Sequence, residues 1–262
     1  MSKEEILYEK DGAIATITLD RPDARNAWSE AMLPQMHTAL ATAMADRDVR
    51  AVILTGAGKS FCAGGDLKSM RDRTGMFEGD TIELRRKYER GLQDITRAFE
   101  RFEKPIIAAI NGAAIGAGLD LALMCDIRIG SERAKFGSTF ASVGLIPGDG
   151  GAFLLTRAVG FSRAVELILT ARVFDAEEAL SIGLLHASVA PEQVLPLARE
   201  RAEQIASLPA PAVQMAKVAL YRTYTHDAES ALQLTAALQS LVQHTKEHSD
   251  AVEAMLAKIT GK

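Results

Sequence analysis

The stretch Lys104 to Ile129, "KPIIAAINGAAIGAGLDLALMCDIRI", decides the fold. After Lys-Pro comes a short apolar run rich in β-branched residues, which reads as a buried strand. A loop of glycines and alanines follows and runs directly into an apolar helix, and "DIRIGSE" then reads as the next strand. A buried strand, a helix and another buried strand make a crossover connection, the unit of an α/β architecture. One carboxylate, Asp120, interrupts this small and apolar run, and its presence there needs a reason.

The same unit recurs on both sides. Upstream, "VRAVILTG" is a short buried strand closed by glycine; residues 56–69 read as a glycine-rich loop and residues 81–101 as a charged helix. Downstream, "FGSTFASVGLIPGDGG" reads as a long loop and "AFLLTRAVG" as a short helix. The chain opens with two alternating runs, "ILYEKDGAIATITLD", joined at Asp11-Gly12, which predicts a hairpin with a type I′ turn. A helical pattern through Met32, Leu33, Met36, Leu40 and Met44 starts from Ser29 or nearby Asn26. After about Pro191 helix follows helix, with apolar faces in "AVQMAKVALYR" and "ESALQLTAALQSLVQ" that need a partner surface. No linker divides the chain.

Composition narrows the function. The chain has 262 residues, 48% of them apolar, enough for a sizeable core. A net charge of −4 without long like-charge runs leaves no footprint for nucleic acid or an anionic membrane. The start "MSKEEILYEK" is too charged for a signal peptide, and no run of about 18 apolar residues exists to span a bilayer, so a cytoplasmic protein is expected. Cys62 and Cys125 lack CxxC spacing and His or Cys company, so no metal site or disulfide is expected, and both thiols are expected to be buried. His37, His186, His226, His244 and His248 lie outside the loops of interest, where surface or packing roles are expected.

Two motifs fail on spacing. "LTGAGKS" ends as a phosphate-binding loop does, but the position where its first glycine belongs is Ile53. "GAAIGAG" lacks the GxGxxG spacing of a dinucleotide fold. Two loops remain, "SFCAGGDL" and "NGAAIGAGLD", each after a buried strand and each poor in bulky side chains. Such loops let backbone N–H groups approach a ligand, and the second enters a helix whose first N–H groups have no partner within it. Two donors converging on one oxygen make an oxyanion hole, which typically contributes about 3 kcal/mol per donor. Spacing alone leaves open that the glycines only turn the chain.

The runs "DRPDARNAW", "SFCAGGDLKSM", "KPIIAAINGAAIGAGLDLALMCDIRI", "FGSTFASVGLIPGDGGAFLLTRAVG" and "ALSIGLLHASV" resemble, in order, the signatures of the crotonase family of enoyl-CoA hydratases and isomerases. The resemblance implies an α/β fold: a crotonase-type spiral of ββα units over residues 1–195, for CoA binding and catalysis, and a carboxy-terminal α-helical trimerisation region over residues 196–262. It implies a homotrimer, or a homohexamer of two trimers. It also implies an acyl-CoA substrate with no separate cofactor, the thioester carbonyl held by the N–H groups of Gly65 and Ala117. Ala24, Asn26, Ala27, Ala63, Asp66 and Leu67 would line the CoA groove, and Lys258 would approach the CoA phosphates of a neighbouring subunit.

The resemblance also gives Asp120 a candidate role. In hydratases of the family a glutamate stands there and a second follows about twenty residues later, where this chain has Phe140, a ring that cannot hold water or move a proton. Phe140 is thus expected against the substrate but not as an acid or base. The family's dienoyl-CoA isomerases place a second aspartate near Asp149, one residue off. Asp149 is therefore either the second catalytic carboxylate or the cap of the helix starting near Gly150. Asp120 is either a proton carrier or a structural carboxylate at a helix start. The expected activity is proton transfer on an unsaturated acyl-CoA through a thioester enolate. The alternatives are an acyl-CoA hydrolase or decarboxylase of the same fold, or a non-catalytic acyl-CoA-binding protein.

Overall fold

The computed structural model describes residues 4–260; the first three and last two residues, with which the expected core and carboxy-terminal regions begin and end, lie outside the described residues. The chain begins with strands β1 (Ile6–Asp11) and β2 (Ile14–Leu19), an antiparallel hairpin in which Asp11 pairs with Ile14. Its two loop residues are therefore Gly12 and Ala13 rather than the Asp11-Gly12 pair read from sequence. Positive φ occurs at Gly12 alone, the requirement of a type II′ turn and not of type I′. Helix α1 (Met32–Ala45) follows, and Ser29 Oγ accepts from the Met32 N–H at its entrance.

Three strand–strand–helix passes come next. The first is β3 (Ala51–Gly56), β4 (Ser60–Cys62) and α2 (Leu67–Asp72), so the stretch 56–69 read as loop holds a short strand and the start of a helix. Helices α3 (Thr81–Arg90) and α4 (Leu92–Arg101) occupy the segment read as one helix. It breaks at Gly91, where a Cβ would stand 2.6 Å from the Lys87 carbonyl oxygen, so only glycine fits the corner. The second pass is β5 (Ile106–Ile110), β6 (Ala113–Ile115) and α5 (Ala117–Leu123). The third is β7 (Ile127–Ser131), β8 (Lys135–Gly137) and α6 (Gly151–Val159), continued by α7 (Phe161–Thr170), β9 (Phe174–Asp175), α8 (Ala176–Ser181) and β10 (Ala187–Val189). Helices α9 (Val194–Ala206), α10 (Ala210–Thr223), α11 (Ala228–Gln243) and α12 (Lys246–Thr260) end the chain.

The passes sort their strands into two sheets. The larger has the order β1-β2-β3-β5-β7-β10, parallel from β2 onward; the smaller, β4-β6-β8-β9, takes the second strand of each pass. This is the spiral of ββα units with a helical carboxy-terminal region. Strand β5, buried along its whole length, reads as a continuous apolar run because both faces are covered. One face packs into the main core with α1, α4 and α5; the other, with Ile53, Ile107 and Ile129, is covered by Val194, Ala198 and Ala202 of α9. Helix α9 crosses the boundary expected at residue 195 and lies on the sheet. Among the described residues no helix is long and apolar enough to cross a membrane.

Candidate active site

Three glycines bring the two loops together. A Cβ on Gly118 would collide with the Cys62 carbonyl, and one on Gly64 would stand 2.6 Å from the Ile115 carbonyl oxygen and 3.4 Å from the Ala117 nitrogen. Gly116, at φ +55°, turns the chain into α5, so that Ala117 is the first helical residue and its N–H has no carbonyl one turn earlier in the helix. Gly65 sits at the other loop, paired with Trp28 in an isolated bridge in which Trp28 N–H donates to the Gly64 carbonyl. No described backbone hydrogen bond uses the N–H of Gly65 or Ala117 as donor. Two loops separated in sequence thus meet at Gly64 and Ala117, with no hydrogen bond described for the N–H of Gly65 or of Ala117. The Met70 methyl and Phe77 ring lie over Gly65, a covering that the sequence did not signal.

Asp120 lies one turn into α5, its N–H donating to the Gly116 carbonyl. It is 1% exposed and faces Asp149, 2% exposed, at the entrance to α6. Oδ2 of Asp120 and Oδ1 of Asp149 have no hydrogen-bond partner among the described residues. Burial, then the charge of Asp149, hold the Asp120 carboxyl well above the ordinary carboxylate range. Burial also raises Asp149, while the hydrogen bond from Asp120 opposes that rise. Burial thus works against a charge on either carboxyl. Helix α6 is capped by Gly150 with no side-chain cap bond, so Asp149 is not the helix cap that the sequence left open.

Asp149 is held by an element far away in sequence. The Thr96 hydroxyl of α4 donates to the Asp149 carbonyl, and Gln93 Nε2 donates to the Gly148 carbonyl at 2.8 Å. The Tyr88 ring of α3 covers Gly148, its Cε1 3.3 Å from where a Cβ would be. Burial, and then the charges of Asp149 and Asp120, push the Tyr88 phenol up to about 12. It therefore stays neutral beside the carboxyl pair. Sequence reading missed Tyr88, Gln93 and Thr96; the one available signal was two polar residues a helical turn apart beside the apolar stripe of Leu92, Ile95 and Phe99. Phe140 is buried, its Cζ 3.9 Å from where a Cβ on Gly116 would be.

The expected groove residues gather along one seam. Asn26, fully buried, accepts from the Arg21 N–H and donates to the Ala57 and Ser60 carbonyls, so its side chain staples the turn. Losing these buried bonds costs about 1–3 kcal/mol each where a partner is left unpaired. The Ala63 N–H donates to the Arg25 carbonyl and the Ala27 N–H to the Ala24 carbonyl, joining this turn to the loop of Gly65. The Asp66 carboxylate caps α2 through the Lys68 and Ser69 N–H groups, and Leu67 is exposed. Lys258 lies in the exposed last turn of α12, a helix packed on α10 and α11, and is not brought to this seam within one chain. Cys62 and Cys125 are buried free thiols; burial pushes Cys62 up to about 12, so it is no nucleophile.

Known proteins resemble the chain over nearly its whole length. The family model for enoyl-CoA hydratase/isomerase matches residues 9–260. A probable enoyl-CoA hydratase of Rhizobium meliloti strain 1021 is 39% identical over 260 residues, covering 98% of this chain and 97% of that protein. The 1,2-epoxyphenylacetyl-CoA isomerase of Escherichia coli K12 is 35% identical over 263 residues, 99% of each chain. The crystal structure of an enoyl-CoA hydratase from Bacillus anthracis superposes with a TM-score of 0.91 at 34% identity, covering 97% of both chains. With the two facing loops and the buried carboxyl pair in place, these matches make the chain a member of the enoyl-CoA hydratase/isomerase, or crotonase, family.

Proposed function

We propose that this enzyme moves a double bond in an unsaturated acyl-CoA by shuttling a proton between Asp149 and Asp120. The observation that carries the reading is the pair of buried carboxyls, both held above the ordinary carboxylate range and each keeping an unpartnered oxygen, near the loops of Gly65 and Ala117; the reading assigns the pair one proton, on Asp120, and one charge, on Asp149. With a 3-enoyl thioester in the site, the Asp149 carboxylate takes a proton from C2. The electron pair moves into the thioester carbonyl, whose oxyanion accepts from the Gly65 and Ala117 N–H groups. Asp120 gives its proton to C4, the double bond settles between C2 and C3, and Asp149 now holds the proton. A transfer within the carboxyl pair restores the start. Coenzyme A enters as part of the substrate.

Isomerisation is favoured over hydration because Phe140 occupies the position at which a second glutamate would hold water, and both relay groups are shielded from solvent. Exposed apolar residues on the carboxy-terminal helices, among them Leu232, Leu241 and Ile259, support assembly into a trimer or hexamer.

The test is a panel of acyl-CoAs in deuterated water. The reading expects 3-enoyl-CoA to become the conjugated 2-enoyl-CoA with the C2 hydrogen largely carried over to C4 and little deuterium taken from solvent, and hydration of 2-enoyl-CoA to be slower. Dominant 3-hydroxyacyl-CoA formation would make the enzyme a hydratase. Release of free CoA or carbon dioxide would identify a hydrolase or decarboxylase. Tight binding with no product from any member would make it an acyl-CoA-binding protein.

A further inference from the structure

A cavity of about 350 Å³ lies beyond the carboxyl pair, walled by Thr96 and Phe99 of α4, Leu123 of α5 and the following Met124, and Leu154 and Arg157 of α6, with α10 closing one side. Its inner wall is the back of the site. Thr96 lines the cavity while its hydroxyl holds the Asp149 carbonyl, and Leu154 Cδ1 is 3.7 Å from where a Cβ on Gly150 would be. Leu123 and Met124 lie on the stripe of α5 that carries Asp120, one turn further on. Along that axis the Ala117 N–H comes first, Asp120 about 4.5 Å later, and the cavity about one further turn, 5.4 Å, beyond. A tail that ran on from C4 along this axis would meet Thr96 and Leu154, which the site shares with the cavity wall.

Among the described residues, the cavity is mostly apolar and Arg157 is the cation in its wall that keeps donors free. The Arg157 guanidinium lies 3.3 Å from the centroid of the Phe153 ring and 5.2 Å from that of Tyr224, and its described hydrogen bond is to the Phe153 carbonyl at 3.2 Å. The other charges in the wall are engaged: Asp126 accepts from Lys217 and Tyr221, and Arg128 donates to the Leu184 and Cys125 carbonyls. Glu100 stands exposed at the rim. Aromatic rings hold Arg157 in place while its planar fork keeps donors free, an arrangement that suits a carboxylate. Arg157 stands about 9 Å of helix rise along α6 from Gly151, which abuts Asp120.

We infer that this cavity takes the far end of the acyl chain and that Arg157 selects medium-length chains ending in a carboxylate. The inference rests on the acyl-CoA reading above. The test compares 3-octenoyl-CoA with its ω-carboxy counterpart, in turnover and, with the two saturated thioesters, in equilibrium binding. The expected preference for the carboxylate is about fivefold at low salt, the size of a partly exposed ion pair. It falls to near one in Arg157→Gln and is partly restored in Arg157→Lys. A ratio at or below one in the native enzyme, or one unchanged in Arg157→Gln, overturns the inference. If neither unsaturated thioester reacts but the saturated pair keeps the ratio, the proposed reaction falls and the pocket assignment stands.

Discussion

The carboxyl group of Asp120 fills the space that a side chain on Gly151 would need: a Cβ there would collide with both carboxylate oxygens. Helix α6 starts with glycine because α5 sends a buried acid into its first turn. Gly151→Ala would push the carboxyl off its line with Asp149, or shift α6. The expected cost is about 1–3 kcal/mol of stability, as for other over-packed positions, and a fall in kcat of about a hundredfold. Thermal melting and steady-state kinetics check both, and an active, stable Gly151→Ala variant would show that the Asp120 position is not critical.

Asp120→Asn separates charge from shape. Asparagine keeps the size and donates as the protonated acid does, but it cannot release a proton, so kcat should fall by about 10² to 10⁴ with little change in thioester binding. Stability should move the other way. A carboxyl held above its ordinary value in the folded state binds a proton that the unfolded chain has released. Its stabilising effect is complete below the ordinary carboxylate pKa and is lost as pH rises toward the raised folded value. The asparagine variant should therefore lose this part of the pH dependence and melt at least as high as the native protein at pH 7.5. Melting curves between pH 4.5 and 8 read it out. Full activity in this variant would make the carboxylate structural.

Much of this site was legible in the sequence, and the reason is local. Ala117 and Asp120 sit within one turn, and the glycines that turn the chain around them are adjacent residues, so the acid could be placed near a helix start from spacing, while the roles of Gly65 and Ala117 as donors came from the family resemblance. The small sheet was not legible: β4, β6 and β8 have three residues each, too few for an alternating pattern. Nor was the support of Asp149. Thr96 and Gln93 reach it through side-chain to backbone bonds across more than fifty residues, and nothing near Asp149 specifies a partner on α4. Asp149 itself was ambiguous because acids beside glycines usually cap helices; only the bare Gly150 cap shows that this one does not.

The exposed apolar residues of the last helices predict assembly. Leu232, Leu241, Leu256 and Ile259 are each more than half exposed, and Phe161 and Leu169 on α7 add to the apolar surface. Sedimentation should give a mass of three or six times 28.2 kDa. Leu241→Lys should shift that mass downward, because burying an unpaired charge costs several kcal/mol. A native monomer at micromolar concentration would contradict the prediction.

Phe140→Glu tests why this site should favour isomerisation. The ring is 8% exposed and lies against Gly116, the residue before the Ala117 N–H; on the proposed reading it keeps water from the carbon that a hydratase attacks. A glutamate there restores a group able to orient water, and the smaller apolar bulk lets water in. The expected result is a rise in 3-hydroxyacyl-CoA formed from 2-enoyl-CoA relative to isomerisation of 3-enoyl-CoA, even if both rates fall. A carboxyl buried at this position would itself be pushed toward its protonated form, at a stability cost of several kcal/mol. Its hydratase activity should therefore increase with pH as the added carboxyl ionises, provided the variant stays folded. Phe140→Gln controls for bulk: it opens the same space without a titrating group, and its hydration rate should lack that pH dependence. If both variants leave the ratio of products unchanged, Phe140 does not decide between the two reactions.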